Sequence, residues 1–218
     1  MENLATIRNN VIEQQVRPWG GLNYKANHAL VGVPRELFVP DEYKEFAFSD
    51  MAIPLNDKYK MFSPKFEGRL LDAVAINDNE NVLEIGTGSG YLTAVMSQLA
   101  NSVTSIDIDK SFIDNAKKKF ETMLIDNVNL LVEDASKTLS SDNFFDVVIV
   151  GCSVPKVTGR YFHLLKVGGR IFVVEGVGSV MSAKVITRKS SEEWETKTLF
   201  ETQLEVMQGL ELKENFKF

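Results

Sequence analysis

Leu4, Ile7, Val11 and Ile12 recur at helical spacing within Leu4–Val16, so the chain opens with an amphipathic helix whose apolar stripe needs a partner. Arg17-Pro18-Trp19-Gly20-Gly21 then breaks the period. A second helix is predicted over residues 23–33, and Pro34 and Pro40, flanking Leu37-Phe38-Val39, rule out a long element after it. Residues 41–62 keep no period and read as loop and short turns. The helical pattern returns over residues 64–76, with Phe66, Leu70, Leu71 and Val74 on one face.

Beyond Asn81 short apolar strands alternate with helices. Val82–Ile85 leads into a helix from about Tyr91, Val103–Ile106 into a helix from Ser111, and Val128–Val132 follows. Phe145–Val150 and Arg170–Val174, the latter after a turn expected at Gly168-Gly169, are apolar and β-branched at nearly every position, the mark of parallel strands buried on both faces. Ala183–Arg188 and Trp194–Val206 read as closing antiparallel strands. The pattern predicts an α/β fold with a doubly wound, mostly parallel, Rossmann-like sheet. Residues 1–80 form an N-terminal helical segment and residues 81–218 the nucleotide-binding domain.

The run Val82-Leu83-Glu84-Ile85-Gly86-Thr87-Gly88-Ser89-Gly90-Tyr91 is a strand, a glycine turn and a helix start. Glycines there allow positive φ and close backbone approach, and the free N–H groups of the helix start favour polar ligand groups. The spacing is G-x-G-x-G. A dinucleotide fingerprint wants a small residue at position 91, where Tyr91 stands, and Glu84 would repel a pyrophosphate but could accept from an ammonium. Asp107, 21 residues after Gly86, ends the second strand, the position from which a carboxylate grips ribose hydroxyls. Asp134 follows the third strand, within reach of an adenine amino group. The set calls for a nucleoside carrying a cationic amino-acid moiety.

This arrangement resembles the class I S-adenosylmethionine-dependent methyltransferases, and Val82–Val95 is similar in particular to the protein-L-isoaspartate O-methyltransferase family. Phe38-Val39-Pro40, Pro54-Leu55, Val103–Ile108, Asp134-Ala135, Phe145–Val150 and Leu165–Arg170 follow that family in order, so the likeness spans most of the chain. It implies S-adenosyl-L-methionine as cofactor, bound by Glu84, Gly86, Thr87, Gly88, Gly90, Asp107, Asp134 and Ala135. It also implies methylation of the carboxylate of isoaspartyl residues in damaged proteins or peptides, with residues 1–80 contributing to the acceptor cleft. The family's Thr-Ile-Ser-x-Pro run, whose Ser is associated with catalysis, reads Lys60-Met61-Phe62-Ser63-Pro64 here. Phe62 stands at the family's Ser position, leaving Ser63 as the candidate catalytic hydroxyl, although Ser before Pro is also a preferred helix start. A small-molecule acceptor and a non-catalytic cofactor-binding module are the alternatives this departure raises.

Net charge −6, from 24 basic and 30 acidic residues, gives no overall positive field for a phosphate backbone, so no nucleic-acid partner is expected. The single cysteine, Cys152, can form no intramolecular disulfide and has no zinc spacing; it reads as a buried structural thiol, and no metal is expected. His28 and His163 fall in helices with packing or surface roles. Trp19 reads as core or turn packing, and Lys117-Lys118-Lys119 as a solvated helix face. With no apolar leader and no 18-residue apolar run, the expectation is a cytoplasmic protein without a membrane partner, working as a monomer or homodimer.

Overall fold

Alternate residues of the central strands go to opposite faces of one sheet, and both faces are covered, which is why these strands are apolar at nearly every position. Val82, Val147, Ile149, Phe172 and Val174 pack on one face, while Leu83, Ile85, Val148, Val150, Ile171 and Val173 pack on the other. The structure is a computed structural model and describes residues 3–19, 22–137, 139 and 144–211. The Gly20-Gly21 pair expected to help stop the first helix lies outside them. The elements in chain order are α1 (Leu4–Val11), α2 (Tyr24–Gly32), β1 (Ile53–Pro54), β2 (Lys60–Met61), α3 (Pro64–Val74), β3 (Asn81–Ile85), α4 (Tyr91–Ser97), β4 (Ser102–Asp107), α5 (Lys110–Met123), β5 (Val128–Val132), β6 (Phe145–Val154), α6 (Gly159–Phe162), β7 (Leu165–Val177), β8 (Val180–Arg188) and β9 (Trp194–Glu201).

The large sheet has seven strands in the order β5-β4-β3-β6-β7-β8-β9, parallel from β5 to β7 and antiparallel from β7 to β9. This is the expected doubly wound sheet with closing antiparallel strands. From β3 the chain winds outward in one direction to β5, then in the other from β6. The switch point beside β3 is where such sheets bind ligands, outside the carboxyl ends of the strands.

The N-terminal helices share their apolar core with the sheet: Val16, Leu30, Leu70 and Val74 belong to the same cluster as Val82, Val95 and Val147. Close approach is made possible by Gly68, where an added Cβ would lie 2.2 Å from Cγ1 of Val16. Arg170 of β7 caps the far end of α3, donating to the carbonyls of Val74 and Ala75 and pairing with Glu80 at 2.7 Å.

Four details differ from the sequence reading. The first α-helix stops at Val11 and continues as a wider π-helical turn over Ile12–Val16, which still buries both Ile12 and Val16, and then as a 3₁₀ turn over Arg17–Trp19 that runs through Pro18. Residues 41–62 contain a short 3₁₀ segment at Asp41–Phe46 and the small antiparallel pair β1-β2. Gly168-Gly169 lies inside β7 as an irregularity rather than before it as a turn, with backbone oxygens of Asp146 and Lys166 3.0 Å from where a Gly169 Cβ would sit. Trp19 is 63% exposed, its ring 4.8 Å from Lys65 Nζ, and so is not core.

Candidate active site

An open cavity lies over the carboxyl ends of β3, β4 and β5, where doubly wound sheets bind ligands. Glu84, Gly86, Thr87, Gly88 and Ser89 line it from β3 and the glycine loop; Asp107, Ile108 and Phe112 from the junction of β4 and α5; Asp134, Ala135 and Ser136 from the turn after β5. Gly151 and Cys152 of β6 form its base. The rest comes from distant segments: Leu55 and residues 59–62 around the β1-β2 pair, Glu67 of α3, and Met207 with Gln208 near the C-terminus. Met207 is tied back by its N–H, which donates to the Ser153 carbonyl at 2.9 Å.

The loop after β3 turns through Gly86, Gly88 and Gly90, with φ of 101°, 50° and 81°, values that favour glycine at all three. Gly90 is the N-cap of α4 and does not line the cavity: a Cβ there would sit 3.0 Å from that of Ala116, so it serves the packing of α4 on α5. Tyr91, the residue that argued against a dinucleotide, is a core residue packed edge-on against Phe38 at 5.6 Å. Lys119 leaves the solvated face expected of it and donates to the carbonyls of Ser89 at 3.2 Å and Phe38 at 3.5 Å, while Lys117 and Lys118 remain exposed.

The three acids stand at the ends of successive strands, in different settings. Glu84 is 1% exposed, and the hydroxyls of Ser105, at 2.6 Å, and Thr93 both donate to its Oε2. Burial pushes its carboxyl up to about 7 against the pull of those bonds. Thr87 contributes its hydroxyl, 2.7 Å from that of Ser105. Asp107 accepts from the N–H of Gly88 at 3.0 Å and of Asp109 at 2.9 Å, bracing the glycine loop; burial raises its carboxyl and these bonds oppose the rise. Asp134 accepts from the Ser136 hydroxyl at 2.7 Å and faces Lys137 at 3.0 Å, which together hold it below the usual carboxylate range.

On the opposite wall Phe62 lines the cavity and Ser63 does not. The Ser63 hydroxyl caps α3, accepting from the Phe66 N–H at 3.4 Å, with Pro64 in the first turn. Cys152 is half-buried in the cavity base, its thiol pushed up to about 12 by burial first and by the charge of Asp107 second, which keeps it protonated and a poor nucleophile. His28 and His163 are exposed and lie outside the cavity. Of the lining residues that sequence reasoning missed, Gly151 had a signal, a glycine directly after the apolar run Phe145–Val150. Phe112 had a weaker one, an apolar residue just beyond the second acid. Met207 and Gln208 had none.

A Rossmann-like sheet with a glycine loop and three acids converging at its switch point defines a class I methyltransferase. Comparison with known proteins takes the identification further. The family model for protein-L-isoaspartate(D-aspartate) O-methyltransferase matches residues 8–207. A protein-L-isoaspartate O-methyltransferase of Petrotoga mobilis is 32% identical over 179 residues, 82% of this chain and 84% of the relative. One from Syntrophus aciditrophicus is 30% identical over 192 residues, 88% of each chain. A Plasmodium falciparum structure described as a protein-L-isoaspartate O-methyltransferase in complex with S-adenosyl-L-homocysteine superposes with TM-score 0.80 over 92% of this chain and 97% of its own, at 15% identity, a likeness of fold. The chain belongs to the protein-L-isoaspartate(D-aspartate) O-methyltransferase family. It is an S-adenosylmethionine-dependent methyltransferase.

Proposed function

We propose that the cavity binds S-adenosylmethionine between the glycine loop and the three acids, and that an isoaspartyl carboxylate of a damaged protein or peptide reaches it past Phe62 and Ser63. The observation that carries this reading is the convergence of Glu84, Asp107 and Asp134 on one cavity. The residues fit the cofactor. Glu84, a buried carboxylate held by two hydroxyls, suits the ammonium; Asp107 suits the ribose hydroxyls; Asp134 suits the adenine amino group, with apolar Ala135 beside it. Gly86, Thr87 and Gly88 let the backbone come close. When bound, the cofactor supplies an electrophilic methyl group on a sulfonium.

The chain's own task is then alignment and exclusion of water, because an acceptor carboxylate, which ordinarily titrates at about pH 4, is ionised near neutrality and needs no general base. Ser63 caps α3 with its oxygen and keeps its hydrogen free to donate, but it stands beside the cavity rather than in its lining, so its hydroxyl can serve an acceptor only on the way in. Phe62 covers the reacting space with an aromatic ring. Residues 1–80 supply the acceptor wall through the β1-β2 pair and α3. A single cysteine, which can form no intramolecular disulfide, fits a reducing compartment such as the cytoplasm. Isothermal titration with S-adenosylhomocysteine tests the binding half directly: saturable binding lost in Asp107→Ala is expected, and an unchanged dissociation constant would remove Asp107 from the site.

A further inference from the structure

Arg35 is 3% exposed and Glu67 is 1% exposed, and the two form an ion pair in the interior. Such pairs contribute little net stability, since desolvating both charges offsets their attraction. The remaining donors of the guanidinium go to backbone: Nε to the Ala47 carbonyl at 3.1 Å and Nη2 to the Phe62 carbonyl at 2.5 Å. Its Cζ lies over the Tyr91 ring, 4.9 Å from the ring centre. One side chain therefore joins the acceptor wall (Phe62), the helix behind it (α3, through Glu67) and the first residue of α4, which follows the glycine loop. Glu67 and Phe62 both line the cavity, whereas Arg35 does not. The Glu67 N–H donates to the Ser63 carbonyl at 3.1 Å, the first helical bond of α3, so Glu67 is fixed to the same turn that Ser63 caps.

We infer that Arg35 and Glu67 are a positioning pair for methyl transfer, fixing the Phe62–Ser63 segment against the glycine loop so that the acceptor meets the cofactor in line. The pair also presents the anionic acceptor with a neutralised wall, because Arg35 cancels the charge that Glu67 would otherwise carry into the cavity. The groups facing Glu67 are Arg35, Tyr91 and, farther off, Asp50. The pair sets turnover and leaves cofactor affinity to the opposite wall. This inference rests on the proposed acceptor route.

The test compares wild type with Arg35→Lys, which keeps the charge but cannot serve both carbonyls and the carboxylate in one plane, and with Arg35→Met/Glu67→Leu, which removes both charges at similar volume. For each, kcat and KM on an isoaspartyl peptide, the Kd for S-adenosylhomocysteine, the melting temperature and amide exchange over residues 60–66 are measured. Expected is a double variant that stays folded, its melting temperature lowered only by the Ala47 and Phe62 carbonyls that lose Arg35, that binds S-adenosylhomocysteine within about twofold and loses about 10- to 100-fold in kcat, with faster exchange confined to 60–66. A merely structural pair would leave kcat unchanged in that folded double variant, and this result, or a loss of cofactor affinity equal to the loss of kcat, overturns the inference. Should the double variant fail to fold, Arg35→Lys decides on the same readouts. Should wild type bind S-adenosylhomocysteine yet leave the isoaspartyl peptide unlabelled, the acceptor reading fails. Exchange then decides the pair: faster at 60–66 supports it, unchanged overturns it.

Discussion

Glu84 carries the most consequential single charge in the site. Its carboxyl is raised to about 7 by burial, so the apo protein holds a proton there that the unfolded chain releases near 4.5. The stability this contributes is fully present below pH 4.5 and is lost as pH rises through 7, a span of about 3 kcal/mol. Apo Glu84→Gln is therefore expected to gain stability on wild type as pH goes from 5 to 8, measured by urea titration at each pH; a difference that does not change with pH would contradict the assignment. An ammonium ligand reverses the preference, because it binds the ionised carboxylate. Lowering pH from 8 to 6 should weaken S-adenosylhomocysteine binding about tenfold in wild type and little in Glu84→Gln. Ser63 separates cap from chemistry: Ser63→Ala should cost about 1 kcal/mol of stability and Ser63→Gly only a few tenths, yet both should lower kcat if the hydroxyl meets the acceptor. Full activity in Ser63→Gly would confine Ser63 to the cap.

At the scale of elements, the glycine loop is held by α5 as much as by its own sequence. Lys119, donating to the Ser89 carbonyl, gives up solvent to do so, and its ammonium pKa is lowered by that burial. Lys119→Met is expected to weaken S-adenosylhomocysteine binding by about 2- to 10-fold, the worth of one or two hydrogen bonds, whereas Lys117→Met leaves it unchanged; equal effects would contradict the bracing role. The central strands β6 and β7 were legible because burial on two faces leaves the apolar runs Phe145–Val150 and Ile171–Val174, and Ser63-Pro64 marked the start of α3 through its chemistry. The β1-β2 pair was not legible, since two residues per strand make no period, nor was the π-helical turn, because Ile12 and Val16 at i and i+4 suit a regular helix equally well.

Across the whole molecule, the grouping of Glu84, Gly86, Gly88, Asp107 and Asp134 around one cavity could be read from sequence because these residues lie in one loop and at three strand ends that the fold class brings together. The facing wall could be read only in part: Phe62 and Ser63 stood out as the departure from the family's run, whereas Arg35, Glu67 and Met207 come from segments that only the folded chain brings to that side. One trace of it was present: Glu67 shares the buried stripe with Leu70, Leu71 and Val74, and a carboxylate in an apolar stripe requires a buried partner. No helix among the described residues is long and apolar enough to cross a membrane. The departure at Phe62 makes the acceptor the central question. The decisive measurement is transfer of labelled methyl from S-adenosylmethionine to an isoaspartyl peptide beside the matching aspartyl peptide, with cofactor binding confirmed on the same sample. Base-labile label on the isoaspartyl peptide alone is the predicted result; bound cofactor with no label, or equal label on both peptides, would contradict it.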